Sequence, residues 1–357
     1  MKTNWPVKKL GEVAEYINGY PFSPDDWKSQ GLPIIRIQNL NDSSKEYNYF
    51  AGEVDEKYLV KPGDILISWS ASLGVYIWQN SPAWLNQHIF KVLVNEKIVD
   101  KDFFFYTAQT KIDEMKTKVH GGTMQHITKG EFENIEISMP EVTIQKKIVE
   151  RLDAIRKAQE LNDLQISKTE ELFNVLLNSE INVNEGEKVL GGYIKLSSGK
   201  FKPSKDHDPD GKIPVYGGNG VNGFTTKPLI ENPTIAIGRV GAYCGVAYLV
   251  KEPSWVTDNA IFIKEYKKEE INLEYLYFFL LRFDLHQFAG FSGQPKITQE
   301  PILKIKFNLP RLEEQKNIVE KLSAVQEHKK LLLKQKSLLR ELFDSALNKC
   351  MKEGLYK

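Results

Sequence analysis

Apolar and polar positions follow the same pattern in two stretches of the chain, residues 140–178 and 310–348. The stretches align without a gap, so that Pro140 matches Pro310 and Gln145 matches Gln315. In both, apolar residues recur at alternating four- and three-residue spacing, and neither stretch contains glycine or an internal proline. This pattern predicts two long helices and a tandem duplication of the whole chain.

Each predicted helix has one narrow apolar stripe that is interrupted by polar residues near its middle. A helix of this length spans about 55 Å and needs a partner along the stripe. We expect the two helices to pair as an antiparallel coiled coil, because the first leads the chain away from one body and the second leads it back from another. The alternative is that each helix packs only on its own body. The predicted helix-pair interface consists of Ile148, Leu152, Ile155, Ile166, Phe173, Ile318, Leu322, Val325, Leu332, Leu339 and Phe343.

The rest of the chain alternates short β-branched and aromatic runs with glycine, proline and asparagine turns, which indicates strand-rich mixed α/β bodies. Features recur in order between the two bodies: Leu10-Gly11 resembles Leu190-Gly191, and Ile89-Phe90 resembles Ile261-Phe262. The predicted fold is α+β, with two such bodies and two long helices related by a pseudo-twofold axis. The predicted boundaries are 1–139, 140–180, 181–309 and 310–357.

Charge gives no global indication of a polyanionic partner, because the chain carries a net charge of only +1. Residues 1–140 hold 15 basic and 18 acidic side chains, whereas residues 181–309 hold 16 and 14. A nucleic-acid binder of this composition must therefore gather its basic residues on one face. The two cysteines, Cys244 and Cys350, suggest neither a zinc site nor a disulfide framework, so we expect a cytoplasmic protein. No apolar run predicts a secretory leader or a membrane span.

The sequence contains no P-loop, no dinucleotide-binding glycine motif and no H-E-x-x-H motif. One arrangement resembles the carboxylate and lysine set of Mg²⁺-dependent nucleases, namely Asp258, Glu265 and Lys267. A stand-alone nuclease that uses these residues is the alternative function. The first body has no equivalent set, and the sequence otherwise predicts no catalytic residues and no metal ligands.

Polar and aromatic side chains on predicted turns and strand ends form two candidate binding clusters. Arginine, lysine, asparagine and glutamine can read base edges, and the basic residues also bind phosphate. Neighbouring glycines allow a close approach of the backbone to a ligand. The predicted DNA-binding residues are Tyr20, Phe22, Arg36, Gln38, Asn39, Thr123, Gln125 and His126 in the first body, and Lys200, Lys202, Tyr216, Asn219, Asn222, Arg239, Gln294 and Lys296 in the second.

Several motifs give the whole chain a resemblance to the specificity subunits of type I restriction-modification systems. They are Leu10-Gly11-Glu12-Val13, Ile17-Asn18-Gly19-Tyr20, Ile34-Ile35-Arg36-Ile37-Gln38-Asn39, Lys61-Pro62-Gly63-Asp64, Ile237-Gly238-Arg239-Val240-Gly241, and the repeated Pro-x4-Gln-x2-Ile-Val-Glu-x-Leu. The resemblance implies two target recognition domains, each of which reads half of a split double-stranded DNA sequence, with the helices as a spacer between them. It also implies that the chain itself is not an enzyme.

Partners and cofactors are likewise implied by the resemblance alone. They are two modification (methyltransferase) subunits that use S-adenosylmethionine, and restriction subunits, both translocase and endonuclease, that use ATP and Mg²⁺. No cofactor is expected on this chain. Besides the nuclease, a two-headed protein-binding adaptor remains a third interpretation of the duplicated architecture.

Overall fold

The computed structural model describes residues 5–70, 72–117, 127–290 and 294–353, and these divide into two compact units. The first unit joins residues 1–162 with residues 335–357, and the second comprises residues 163–334. Each unit therefore contains one strand-rich body together with part of each long helix.

The first body is built on two four-stranded sheets and one two-stranded sheet. Its strands are β1 (Val7–Lys9), β2 (Ala14–Asn18), β3 (Leu32–Ile35), β4 (Asn48–Phe50), β5 (Leu59–Val60), β6 (Ile65–Ser68), β7 (Gly74–Ile77), β8 (Ala83–Leu85), β9 (Ile89–Val94) and β10 (Glu136–Ser138). Its helices are α1 (Leu10–Val13), α2 (Ile37–Asn41), α3 (Lys101–Thr110), α4 (Ile112–Thr117) and α5 (Lys129–Glu133). The strand orders are β2-β9-β6-β7, β4-β3-β8-β5 and β1-β10.

The second body repeats this topology after the long helix α6 (Val142–Glu180). Its strands are β11 (Lys188–Val189), β12 (Ile194–Ser198), β13 (Ile213–Gly217), β14 (Gly220–Thr225), β15 (Thr234–Gly238), β16 (Ala247–Val250), β17 (Trp255–Val256), β18 (Ala260–Tyr266) and β19 (Lys306–Phe307). Helices α7 (Leu273–Phe283) and α8 (Gln299–Leu303) precede the second long helix, α9 (Leu312–Asn348), which ends in a π-helical turn, Lys349–Glu353. The strand orders β12-β18-β15-β16, β14-β13-β17 and β11-β19 reproduce those of the first body, except that no described strand matches β5. The structure thus confirms the predicted mixed α and β composition and its duplication.

The duplicated glutamine of the Pro-x4-Gln motif fastens each long helix to its own body. Gln145 is fully buried. Its Oε1 accepts from the Asp100 backbone N–H at 2.7 Å, and its Nε2 donates to the carbonyls of Ile98 at 3.2 Å and Pro140 at 2.8 Å. Asp100 in turn caps helix α3, because its carboxylate accepts from the backbone N–H groups of Asp102 and Phe103. One side chain therefore ties the start of α6 to the start of α3.

Gln315 makes the same three bonds in the second body. Its Oε1 accepts from the Asn272 N–H at 2.7 Å, and its Nε2 donates to the carbonyls of Glu270 at 3.0 Å and Pro310 at 2.9 Å. Asn272 is the N-cap of α7, the counterpart of α3. The repeated glutamine marks a buried clamp in each body.

Within each unit, the two long helices pack against each other as well as against the body. In the first unit, Ile148 and Leu152 share one buried cluster with Ala346, and Gln159 Nε2 donates to the Leu339 carbonyl at 3.2 Å. These contacts join the first half of α6 to the last part of α9, so the helices run antiparallel there. The idea that each helix packs only on its own body is therefore wrong.

The second unit shows the complementary pairing. Its buried cluster contains Leu177 from the end of α6 and Leu322 from the start of α9, and Lys329 Nζ lies 2.6 Å from a Glu170 carboxylate oxygen. None of the eleven predicted interface residues is exposed. Those that are buried are Ile148, Leu152, Ile155, Ile318, Leu322 and Leu332, and those that are half-buried are Ile166, Phe173, Val325, Leu339 and Phe343.

No helix of the described residues is both long enough and apolar enough to cross a membrane.

Candidate nucleic-acid interface

The loops that carry the predicted binding residues are fixed by the same backbone hydrogen bonds in both bodies. In the first body, N–H groups donate to carbonyls from Gly19 to Ile89, Tyr20 to Leu85, Trp69 to His88 and Ile127 to Trp69. In the second body, the bonds at equivalent positions run, in the same order, from Gly199 to Ala260, Lys200 to Val256, Arg239 to Asn259 and Ile297 to Arg239. All lie between 2.8 and 3.3 Å. The backbone therefore places different side chains at equivalent positions. Tyr20 in the first body corresponds to Lys200 in the second, and Trp69 corresponds to Arg239.

A β-turn stands at the centre of each set of loops. In the first body it spans residues 86–89 and is closed by Ile89 N–H donating to the Asn86 carbonyl at 3.1 Å. In the second it spans residues 257–260 and is closed by Ala260 N–H donating to the Thr257 carbonyl at 3.0 Å. We name these the 86–89 turn and the 257–260 turn.

Glycine is required at residues 19 and 199, where the chain passes close to the 86–89 turn and the 257–260 turn directly after strands β2 and β12. A Cβ at Gly19 would lie 2.1 Å from the Asn86 carbonyl oxygen, and a Cβ at Gly199 would lie 2.1 Å from the Thr257 carbonyl oxygen. Any side chain would have to displace the turn backbone. The Asn18-Gly19 and Ser198-Gly199 signals thus reflect close packing against the two turns.

The first body has a cavity of about 550 Å³ beside the 86–89 turn. Its lining includes Phe22, Trp27, Arg36, Gln38, Gln87 and His88. The Arg36 guanidinium stacks 5.2 Å from the centre of the Trp27 ring and donates to Asn48 Oδ1 at 3.2 Å. Stacking and hydrogen bonding hold this cation in one orientation, which suits paired hydrogen bonds to a base edge.

Two predicted binding residues of the first body are buried. Phe22 is only 7% exposed, and its ring packs against those of Tyr20 and Phe50. Asn39 is only 3% exposed, accepts from the Arg36 N–H, and donates to the carbonyls of Lys45 and Glu46. Both side chains therefore support the loop that carries Arg36 and are not displayed at the surface.

Tyr20 and Arg36 are half-buried, and Gln38 is exposed. The remaining predictions for the first body, Thr123, Gln125 and His126, lie outside the described residues.

In the second body, the structure brings the predicted residues together around the 257–260 turn. The Tyr216 carbonyl accepts from Thr257 N–H at 2.8 Å, and Gly241 N–H donates to the Pro295 carbonyl at 2.9 Å, which sets Gln294 and Lys296 beside Arg239. Lys200, Asn219, Asn222, Gln294 and Lys296 are exposed, and Lys202, Tyr216 and Arg239 are half-buried. Four cationic residues of the predicted set thus lie at the loops of the second body, whereas Arg36 is the one cation among the described predicted residues of the first body.

The two bodies diverge directly after matching strands. Strand β3 pairs in parallel with β8, and β13 pairs in parallel with β17, which makes Arg36 the counterpart of Gly217. The first body continues into helix α2, whereas the second forms a tight hairpin between β13 and β14. Asn222 lies over Gly217 in that hairpin, since a Cβ at Gly217 would be 2.5 Å from Asn222 Nδ2. Different surface side chains thus follow equivalent strands.

Burial affects two groups in these loops. It lowers the pKa of His88 below the usual histidine range, so the ring is neutral at pH 7. It raises the pKa of Tyr216, which keeps the phenol protonated and able to donate. The only charge among the residues named as lining the first cavity therefore belongs to Arg36.

Sequence reasoning did not include the tips of the two turns among the DNA-binding residues, although it named Asp258 in the nuclease alternative. Their central residues are Gln87 and His88 in the first body and Asp258 and Asn259 in the second. The sequence signal that could have located these turns is the equal spacing from Trp84 and from Trp255 to the start of the following strand. The sequence match of Ile89 with Ile261 is wrong by one residue, because the strand pairing aligns Ile89 with Ala260.

The nuclease alternative is contradicted by the placement of its residues. Asp258 precedes strand β18 and Glu265 lies near its far end, a separation of about 20 Å along a strand. The Glu265 carboxylate pairs with Lys195 Nζ at 2.6 Å, and Lys267 pairs with Glu270 at 3.1 Å. The three residues cannot hold one metal ion together.

Comparisons with known proteins agree with this duplicated architecture. A family model described as "Type I restriction modification DNA specificity domain" matches residues 2–171 and 184–339. The MjaVIII specificity subunit of Methanocaldococcus jannaschii is 25% identical over 90% of this chain and 86% of that protein. The EcoprrI specificity subunit of Escherichia coli is 22% identical over 86% and 84%. The EcoBI specificity subunit of Escherichia coli matches over a shorter region, 43% of this chain and 32% of that protein, at 26% identity.

Solved structures share the fold. The S subunit of a type I restriction-modification system from M. genitalium superimposes with a TM-score of 0.67 at 18% identity, covering 98% of this chain and 96% of that one. A chain from a study of type I system assembly and conformational transition gives a TM-score of 0.62 at 14% identity, covering 98% of each. With two matched segments that span most of its length, the chain belongs to the family of type I restriction-modification DNA specificity proteins.

Proposed function

We propose that this chain reads a split double-stranded DNA sequence, with each body recognising one half. The observation that carries the proposal is that the two bodies share a backbone frame but differ in their side chains. Gly19 and Gly199 make equivalent backbone hydrogen bonds, whereas Trp69 of the first body is replaced by Arg239 at the equivalent position of the second. A duplicated scaffold with different reading groups recognises two different sequences at a separation set by the protein.

The two bodies use different chemistry for contact. The second body offers Lys200, Lys202, Arg239 and Lys296, which can neutralise phosphates and release counterions. The first offers Arg36 stacked on Trp27 above an aromatic-walled cavity, which favours base contacts over phosphate contacts. Most of the salt dependence of DNA binding is therefore assigned to the second body.

The modification subunits are assigned to exposed leucines at matched positions of the long helices. Leu161 and Leu331 are 53% and 63% exposed, and Leu172 and Leu342 are 49% and 48% exposed. The first unit contains Leu161 and Leu342, and the second contains Leu331 and Leu172. Each unit therefore presents one leucine from each matched pair. Exposed apolar groups of this kind mark protein contacts, and the duplication supports two copies of one partner. In this proposal S-adenosylmethionine, ATP and Mg²⁺ bind to modification and restriction subunits.

Half-site mutagenesis tests the proposal. The full chain with its modification subunits is bound to a randomised duplex library, and the selected bipartite motif is then scored for Arg36→Gln and Arg239→Gln variants. Arg36→Gln should lose about 1–3 kcal/mol of preference at one position of the first half only, and Arg239→Gln should act only on the second. Selection of no motif would refute specific DNA recognition, and equal losses in both halves would point to a folding defect.

Salt titration separates the two bodies and tests the adaptor interpretation. Changing Lys200 or Arg239 to glutamine should each reduce the slope of log Kobs against log[salt] by up to about 0.9, whereas Gln38→Ala should leave it unchanged. A chain whose DNA affinity is weak and independent of these residues would favour a protein-binding adaptor.

A further inference from the structure

Asp258 occupies the tip of the 257–260 turn in the second body. The turn is held on both sides, because Thr257 N–H donates to the Tyr216 carbonyl at 2.8 Å and the Asn259 carbonyl accepts from Arg239 N–H at 2.9 Å. Asp258 is half-buried and Asn259 is exposed. The carboxylate is therefore carried by a fixed piece of backbone among the reading loops.

This carboxylate has no hydrogen bond or ion pair with any other residue in the described part of the chain. The contrast with Asp208 is informative. The Asp208 carboxylate accepts from Thr225 Oγ1 at 3.0 Å and from the N–H and Oγ1 of Thr226 at 2.9 and 3.1 Å, so its role is structural. Asp258 has acceptor capacity that the folded chain does not use.

A carboxylate at a DNA interface repels phosphates, so the lysines and arginine around it must do the phosphate binding. In the major groove only two groups can donate to it, the amino groups of cytosine N4 and adenine N6. Guanine O6 and N7 and thymine O4 are acceptors and repel it. Its location and chemistry both favour contact with a base amino group.

We infer that Asp258 determines specificity in the second half-site by accepting a hydrogen bond from the amino group of a cytosine or adenine and rejecting guanine and thymine at that position. The inference rests on the proposed function of the chain. The equivalent residue of the first body is Gln87, whose neutral amide can both donate and accept. The same turn position is thus selective in one body and more permissive in the other.

The test uses the full chain with its modification subunits and a library of duplexes randomised in the second half-site. The variant Asp258→Asn keeps the size of the side chain and adds a donor. At one position, the wild-type preference for cytosine or adenine should fall about 5- to 150-fold, the range that corresponds to one lost base contact of 1–3 kcal/mol. Affinity for unrelated duplex should rise, because a charge that repels phosphate is gone.

Glu231→Gln is the matched control. It also removes one negative charge, here from an exposed side chain, but Glu231 precedes Thr234 at the opposite end of strand β15 from Gly238. This variant should keep the wild-type motif. Asp258→Glu is the second variant, and it should keep the preference for an amino-bearing base with reduced affinity.

The outcomes separate the two levels of inference. A bipartite motif that is identical for wild type and Asp258→Asn overturns the role of Asp258 and leaves the proposed function intact. A change confined to the first half-site also overturns it. If the wild-type protein selects no motif, both the proposed function and this inference fail.

Discussion

The buried glutamine clamp provides the most direct quantitative test of the fold. Gln145→Ala removes three hydrogen bonds to the main chain and a weaker one to Met139 Sδ, and it leaves the Asp100 N–H and the carbonyls of Ile98 and Pro140 buried without that partner. Each lost bond of this kind costs about 1 kcal/mol, and the truncated side chain leaves a small cavity in a fully buried site. The free energy of unfolding of the first unit should fall by roughly 3–5 kcal/mol.

Tryptophan fluorescence during urea unfolding measures this change, because five of the six tryptophans lie in the first body and only Trp255 lies in the second. With a slope of about 2 kcal/mol/M, the midpoint of the first-body transition should fall by about 1.5–2.5 M. The neighbouring exposed Lys146→Ala is the control and should change stability by no more than about 0.5 kcal/mol.

A conservative variant tests the direction of the individual bonds. Gln145→Glu keeps an acceptor for the Asp100 N–H but sets a carboxylate oxygen against the carbonyls of Ile98 and Pro140. At pH 7 it should therefore destabilise the first unit at least as much as Gln145→Ala, and the loss should shrink at low pH, where the acid is protonated. A loss below about 1 kcal/mol for Gln145→Ala would refute the clamp.

Three further outcomes are expected. Gly199→Ala should displace the 257–260 turn, because its Cβ would lie 2.1 Å from the Thr257 carbonyl oxygen, and should weaken selection of the second half-site while the first stays unchanged; equal selection of both by the variant would contradict this. Burial lowers the pKa of His88, so the unfolded chain binds the proton more readily and the first body should lose stability as pH falls below about 6.5, until the folded-state pKa is passed. Comparison with His88→Gln by urea unfolding at each pH isolates this contribution, and identical pH profiles would refute it. Replacement of Leu172 and Leu331 by glutamate should reduce the number of modification subunits bound per chain from two to one in native mass spectrometry, whereas glutamate at the exposed Lys168 should not.

The long helices and the duplication were predictable because their signals are local or strictly periodic. Pro140 and Pro310, the repeated glutamines and the four-three spacing of apolar residues need no knowledge of distant contacts. The reason for the glutamines was not predictable, because their partners at Ile98 and Glu270 lie on loops whose pairing is set by the tertiary fold.

The candidate site was predictable in its location and only partly in its membership. Glycines and polar residues near strand ends identified the correct loops. In the folded chain Arg36 and Gln38 are accessible, whereas Phe22 and Asn39 are buried. No local sequence pattern distinguishes the accessible side chains from the buried ones. The one-residue slip at Ile261 arose because both registers keep an apolar residue at each matched position, and only the pairing of Ser68 with Ile89 and of Gly238 with Ala260 fixes it.

The way in which the two bodies differ explains how new specificity can arise on a fixed scaffold. Backbone hydrogen bonds from residues 19, 20 and 69 recur at 199, 200 and 239, and they involve no side-chain atoms. Replacing Trp69 by the arginine found at 239, or Gln87 by the aspartate found at 258, therefore leaves these bonds in place. Larger changes, such as α2 in place of a tight hairpin, enter only after β3 and β13 have ended. Because the frame depends on the main chain and on glycine, a half-buried side chain at a turn tip, such as Gln87, can be exchanged at little cost in stability. Exchange of Trp69 also removes its stacking on Phe90 and its Nε1 hydrogen bond to Asn18 Oδ1, so a specificity change is least costly at the turn tips and the adjoining loops.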